Sequence, residues 1–556
     1  MMNRSIGRVL LAAPVIAAMV PGAAMSGRAS GAGGDRSAAE NPSVIAPSCA
    51  AEQPAVDHAA TGAVTIRVSF PKDVREAPAT GRLVVMSARK GSKVGEADPL
   101  DGPFWDEPQP MFGIDVKDLA PGASAVIDDR ATSFPAPVSK LSPGTYRVQA
   151  MLDMKRENSS WRREEGNLFS SAIAELVVKE GEAASVDLVL DRAVKADALP
   201  VQAGVEFVEV RSKLLSEFRG SDVMLRAGVV LPRGFDAKRK YAAVYEVPGF
   251  GGDHRGVMGA ANRRDRVPEN QPFGELSRNA FWIVLDPESP NGHTLFADSA
   301  NNGPCGRALV EELIPAIEAK YPLVPKPAAR MLRGHSSGGW STLWLALNYP
   351  ETFGACWSSA PDPVDFHAMQ AGDVYENANM YADGAGKDIP SHRSRGVSTM
   401  SVRQENLMEE VLGPDNTSGQ QWDSWFAVWG PRDTGGHPAA LFDPVTGVID
   451  HAIAEQYKKY DIHELTRANE GTWGLTFHQR IRLLVGSLDS FYLNMAVERL
   501  KPTIDALHFF VYPEGKNGWI EIVPNADHGT VMGAPRARDI PKEMLDHLKR
   551  TKVLEE

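Results

Sequence analysis

Cysteine is nearly missing from this sequence: three residues, Cys49, Cys305 and Cys356, in 556. That excludes a disulfide-built scaffold, since at most one bridge can form and one thiol is left over. Cys305 and Cys356 are expected to be buried free thiols. No CxxC and no paired His/Cys spacing occurs, so neither a zinc site nor any cofactor is expected. Basic charge is not in excess either. Lys and Arg number 59 against 71 Asp and Glu, a formal net charge of −12, which argues against a nucleic acid partner. Long apolar runs are missing with one exception, Val9 to Val20, and that run is too short to span a bilayer comfortably.

The exception has the make-up of a secretory signal. Arg4 and Arg8 precede it, and small residues follow at Gly22-Ala23-Ala24 and Ser26-Gly27. Residues 1–30 are therefore expected to direct export, giving a secreted or periplasmic protein without stable membrane insertion once they are removed. Residues 31–60, rich in Gly, Ala, Ser and Pro, read as a disordered lead-in. The full sequence is 43% apolar and 23% charged, a soluble globular composition, and is long enough for two or more domains.

Residues 61–197 read as β-rich. Val64–Phe70 alternates apolar and polar residues, and similar runs recur at Gly81–Ser87, Ser124–Ile127, Thr145–Met151, Ala172–Val178 and Ser185–Leu190. Turn residues separate them, which predicts a β-sandwich. Phe104, Trp105 and Trp161 are candidates for a ligand surface there, although such aromatics more often pack a core. The next region, 198–556, begins past Lys195-Ala196-Asp197-Ala198-Leu199-Pro200 and alternates strands with helices, the rhythm of a mostly parallel sheet covered on both faces. Expected elements include strands at Val205–Val210, Asp222–Leu231, Tyr241–Val247, Phe281–Asp286 and His508–Tyr512. Helices are expected at Ala308–Ala319 and Pro541–Lys549. Residues 365–475 break the rhythm, read as polar and loop-rich, and are expected to form a lid or pocket wall.

Inside 198–556 stands Gly334-His335-Ser336-Ser337-Gly338, a G-x-S-x-G pattern between a short strand and the apolar helix start Trp340–Leu347. A serine on so sharp a turn has a strained backbone, and the two glycines keep the arms of the turn apart. Ser336 is the expected nucleophile, with the Ser337 N–H free for an oxyanion. A second oxyanion donor is expected from the glycine-rich turn after Tyr241–Val247, at Phe250 or Gly251. A serine hydroxyl needs a base, and His528 sits in a loop before the last helix. Asp489, just past the strand Ile481–Gly486, is the expected partner of that imidazole, in the chain order Ser, acid, His. Asp362 and Asp365 compete for the acid role. Asp527 cannot easily turn back onto its neighbour's ring, and His335 is read as packing. His254, His293 and Trp429 lie on segments expected near the pocket and are candidates for substrate contact.

The residues Leu231-Pro232, Phe235-Asp236, Gly249-Phe250-Gly251-Gly252, Glu312-Leu313-Ile314-Pro315, Gly334–Gly339, Gly486 to Asp489 and Asp527-His528-Gly529 together carry a likeness. On them, residues 205–550 resemble the family that holds esterase D, feruloyl esterases, enterochelin esterases and mycolyltransferases. The resemblance implies an α/β-hydrolase fold, a metal-independent Ser-His-acid mechanism and action on a small-molecule or polymeric carboxylic ester. By position it gives the three roles to Ser336, His528 and Asp489. The sequence departs from the family at Pro248-Gly249, where His-Gly is frequent, and in the length of the 365–475 insertion. Alternative readings are an acyltransferase or peptidase on the same scaffold, or a non-catalytic binder of a polyester, glycan or siderophore.

Overall fold

Eight strands make the central sheet. Val205–Ser212 (β1) and Val223–Val230 (β2) open it as an antiparallel pair. Ala242–Val247 (β3), Ala280–Leu285 (β4), Arg330–His335 (β5), Ala355–Ser359 (β6), Ile481–Gly486 (β7) and Trp519–Val523 (β8) follow. Their spatial order is β1-β2-β4-β3-β5-β6-β7-β8. β2 runs antiparallel to β4, and the pairings beyond it are parallel. This is the mostly parallel sheet that the alternation of strands and helices predicts, in the α/β-hydrolase arrangement that the family resemblance implies. The structure, a computed structural model, describes residues 63–196, 198–507 and 517–554. The expected signal, the lead-in, Cys49 and the expected strand at His508–Tyr512 lie outside the described residues.

Because strand side chains alternate faces, β3 to β7 feed two cores. Tyr245 and Leu332 face a core shared with Trp340 and Leu343 of the helix Ser337–Asn348, whereas Val244 and Met331 face one shared with Leu545 and Leu548 of the C-terminal helix. Both faces are covered, so the inner strands read as continuous apolar runs. The helical run after β4 extends from Cys305 to Lys320, with a π turn at Leu309–Leu313 just before Pro315. The C-terminal helix starts earlier than expected, at Pro535, and ends at Arg550. Proline is well placed in the first turn, where its missing N–H costs nothing. Cys305 and Cys356 are buried and free, and burial pushes both thiols up to about 12.

Ahead of the central sheet, a three-stranded sheet (Ser124–Ile127, Val64–Ser69, Ala184–Val189) and a seven-stranded sheet centred on Ala79–Arg89 and Gly144–Asp153 share one apolar core that includes Ile66, Val68, Leu83, Val85, Val148 and Leu188. The strand Met111–Leu119 was not expected from the sequence. Its outer face is covered by the helix Val402–Leu412 of the insertion. A Cβ on Gly113 would stand 2.3 Å from the Val411 carbonyl, so only glycine fits there. Arg82, 2% exposed, donates to the Val411 carbonyl at 2.9 Å and the Glu410 carbonyl at 3.2 Å, satisfying the open end of that helix.

The insertion is loop-rich, as expected, with 369–389 and 430–450 outside any helix or strand, but it also holds regular elements. It carries a hairpin, Pro390–Ser394 with Val397–Ser401, and helices that include Val402–Leu412 and Gln421–Trp429. Trp422, Trp425, Phe426 and Trp429 are all within 2% of full burial and join the same core as Trp340 and Leu343. This helix is a fixed wall, because moving it would expose four large rings to water. Among the described residues no helix is long and apolar enough to cross a membrane.

Candidate active site

β5 ends at His335, and the helix Ser337–Asn348 starts two residues later, so Ser336 alone makes the corner. It holds φ 61° and ψ −129°, a conformation that costs a non-glycine residue about 1–3 kcal/mol. Hydrogen bonds on both sides impose it: Ser336 N–H to the Ser359 carbonyl at 2.9 Å, and Trp340 N–H to the Ser336 carbonyl at 3.1 Å. The flanking glycines are required by contact. A Cβ on Gly334 would stand 2.0 Å from the Gly338 carbonyl oxygen, and one on Gly338 would stand 2.0 Å from that of Val247. Ser337 is the first helical residue, so its N–H has no role in the helix ladder.

β7 and β8 bring in two loops that are zipped together. Ser487 N–H bonds the Val523 carbonyl and Leu488 N–H bonds the Ala526 carbonyl, both at 2.9 Å. Asp489, fully buried, accepts from Phe491 N–H at 3.0 Å and Leu493 N–H at 3.3 Å through one oxygen. Its other oxygen lies 2.7 Å from His528 Nδ1. The His528 ring centroid is 4.5 Å from that of His335, beside the corner that holds Ser336. Burial lowers the proton affinity of His528, but the charge and hydrogen bond of Asp489, then Asp362 and Asp527, outweigh it, and the imidazole titrates above its ordinary value. His335 is held down to about 3 by burial and by its neighbour His528.

The competing carboxylates are engaged elsewhere. Asp365 bonds His463 Nδ1 and Arg499 Nε, each at 2.7 Å. Asp362 accepts from Trp425 Nε1 at 2.8 Å, and burial raises it to about 6.

The turn after β3 lies over the serine. A Cβ on Gly249 would stand 3.1 Å from Ser336 Cβ and 3.8 Å from its Oγ. Gly252 N–H closes the turn on the Gly249 carbonyl at 3.0 Å, and Gly251 takes φ 74°. His293 was expected to touch substrate, but it is buried, with both ring nitrogens occupied. Leu295 N–H donates to its Nδ1 at 3.0 Å, so Nε2 carries the proton and donates to the Pro248 carbonyl at 3.0 Å. Burial holds it down to about 4, so it stays neutral and pins the turn. His254 is also buried: it bonds Asp286 at 2.7 Å and lines a cavity of about 540 Å³ at the sheet edge, whose lining does not include Ser336. Trp429, the third expected contact, is a core residue wedged against Phe366, Trp425 and Trp340.

Residues not singled out as site residues complete the surroundings. Arg393 of the insertion hairpin donates to the Asp489 carbonyl at 2.8 Å, the Ser487 carbonyl at 3.3 Å and Asn494 Oδ1 at 2.8 Å, clamping the acid loop. Arg163 of the front sheets donates to the Gly251 carbonyl and lies 3.4 Å from Asp253. No motif marks either arginine, since each acts across a long stretch of chain.

The sequence pattern of the family described as "Esterase: Putative esterase" matches residues 224–503, half of the chain. No curated protein sequence matches. Among solved structures the chain is similar to a ferulic acid esterase, at 12% identity and TM-score 0.36, covering 62% of this chain and 98% of that one. It is also similar to an S-formylglutathione hydrolase from Agrobacterium tumefaciens, at 15% identity and TM-score 0.34, covering 63% and 96%. Likeness at that level says nothing of substrate. With half its length matched and its strands in the order described, the chain belongs to this esterase family and is a carboxylic ester hydrolase of the α/β-hydrolase fold.

Proposed function

We propose that this hydrolase works through Ser336, His528 and Asp489 by way of an acyl-enzyme. Ser336 Oγ attacks the ester carbonyl carbon while His528 Nε2 takes its proton. Asp489 keeps the other imidazole proton on Nδ1 and stabilises the cation that forms. The carbonyl oxygen becomes an oxyanion, held by the Ser337 N–H and by the N–H of Phe250 or Gly251. When the C–O bond breaks, His528 gives its proton to the departing alcohol. Water then adds to the acyl-serine with His528 again as base, releasing the acid and restoring the serine.

The observation that supports this most is the 2.7 Å His528–Asp489 pair, whose imidazole packs on His335, the residue before a serine held at φ 61°. Ser336→Ala should remove hydrolysis of a short p-nitrophenyl ester and leave the melting temperature within a few degrees of the parent. Undiminished turnover by that variant would end the proposal. Export to the periplasm or medium is part of the same reading, motivated by Arg4, Arg8 and the apolar run Val9 to Val20. Fractionation of expressing cells tests it, and full-length protein found only in the cytoplasm would contradict it.

A further inference from the structure

Three rings from three distant segments meet beside His528. Phe491, on the acid loop, stands edge-on to the His528 ring at 5.0 Å between centroids. Trp105, from the front sheets, stands edge-on to Phe491 at 5.5 Å. His392, from the insertion hairpin, lies 5.1 Å from Phe491 and 5.8 Å from Trp105. Phe491 and Trp105 are only partly buried, so ring surface remains open. The wall is also held firmly. The loop bearing Trp105 is anchored through Leu100, which packs with Met400, Met408 and Val411 of the insertion. Arg162 ties the same loop at Asp101, 3.0 Å away. His392 Nδ1 lies 2.7 Å from Thr399 Oγ1, which fixes that ring.

The place of this wall decides which part of a substrate meets it. His528 hands its proton to the departing alcohol oxygen, so that oxygen must come to its imidazole. A carbon chain that leaves that oxygen along Phe491, the ring edge-on to His528, reaches Trp105 next. Open ring faces and edges favour a flat, apolar, π-bearing group over a flexible alkyl chain of equal size.

We propose that Trp105, Phe491 and His392 form a subsite for an aromatic ring in the alcohol portion of the ester, so that the front sheets contribute to substrate choice through Trp105. This rests on the Ser336–His528 proposal above. The expected signature is a preference for benzyl butyrate over butyl butyrate, whose alcohols differ little as leaving groups. A stacking contribution of this kind corresponds to a ratio of about two- to tenfold in kcat/KM.

The test compares the two esters by titrating released acid at constant pH, in the parent, Trp105→Ala and Trp105→Phe. The proposal expects the ratio to collapse towards one in Trp105→Ala, through a larger fall on benzyl butyrate than on butyl butyrate, and to survive in Trp105→Phe. An unchanged ratio in Trp105→Ala would overturn it, as would a parent with no preference. Equal loss on both esters with a lowered melting temperature would make Trp105 a packing residue and overturn it too. A parent that cleaves neither ester and takes no fluorophosphonate on Ser336 would instead mark failure of the underlying mechanism.

Discussion

Replacing Asp489 with asparagine changes one atom in a fully buried site and should cost most of the activity. The amide oxygen can still accept from Phe491 N–H and Leu493 N–H, so the loop keeps its shape. The amide nitrogen would then face His528 Nδ1 at the position of the oxygen now 2.7 Å away. A donor facing Nδ1 makes that nitrogen an acceptor and moves the ring proton to Nε2. In the proposed mechanism Nε2 takes the Ser336 proton, so the base would be blocked. A wrong tautomer of this kind costs about 10⁴-fold in kcat, roughly 5 kcal/mol of transition-state stabilisation. Asp489 also holds His528 above its ordinary titration range. The acid limb of kcat/KM in the parent should therefore lie above about pH 6.5 and move down in the variant. The stability sign runs the opposite way. A raised imidazole adds stability in full below about pH 6.5 and loses it as pH rises through the folded value, so the parent should be more stable relative to the variant in acid than in base. Stopped assays on a p-nitrophenyl ester from pH 5 to 9, with thermal melts at the same values, cover both. A variant keeping a tenth of parental kcat, or an unmoved acid limb, would refute the reasoning.

Further outcomes follow from the same contacts. Asp362→Asn should keep the Trp425 Nε1 bond and most activity, yet shift the acid limb slightly downward, because Asp362 helps raise His528; a pH profile of kcat/KM reads this. Arg393→Met removes three hydrogen bonds from the acid loop and should lower kcat by about tenfold with a smaller change in KM, seen by steady-state kinetics. Gly338→Ala places a methyl 2.0 Å from the Val247 carbonyl oxygen and should destabilise the fold by about 1–3 kcal/mol, measured by denaturant unfolding, with activity lost as the oxyanion turn shifts.

Local signals carried far in this chain. The strand, tight corner and apolar helix around Ser336 were legible because a nucleophile turn needs small residues at fixed offsets, and Gly334 and Gly338 stand where backbone meets backbone. Asp489 was legible as a strand-end residue and His528 as a loop residue before the last helix, and the loops that bear them do meet. Residues whose role depends on through-space burial were not legible. His293 and His254 look like pocket histidines along the chain, but tertiary packing covers both. Trp422, Trp425, Phe426 and Trp429 are spaced for one helix face, but flanking polar and loop residues masked that period. Met111–Leu119 lost the alternation of a strand because Phe112 feeds the sandwich core while Met111 meets the insertion. The wall of Trp105, His392 and Phe491 joins three segments far apart along the chain, and no spacing rule connects them.

Whether the hydroxyl at position 336 is the nucleophile can be measured directly. Treating the intact protein with a fluorophosphonate and mapping the adduct by peptide mass spectrometry should place one modification on Ser336, absent in Ser336→Ala and much slowed in His528→Ala. No adduct on an actively hydrolysing sample, or an adduct on another residue that tracks the loss of activity, would contradict the account.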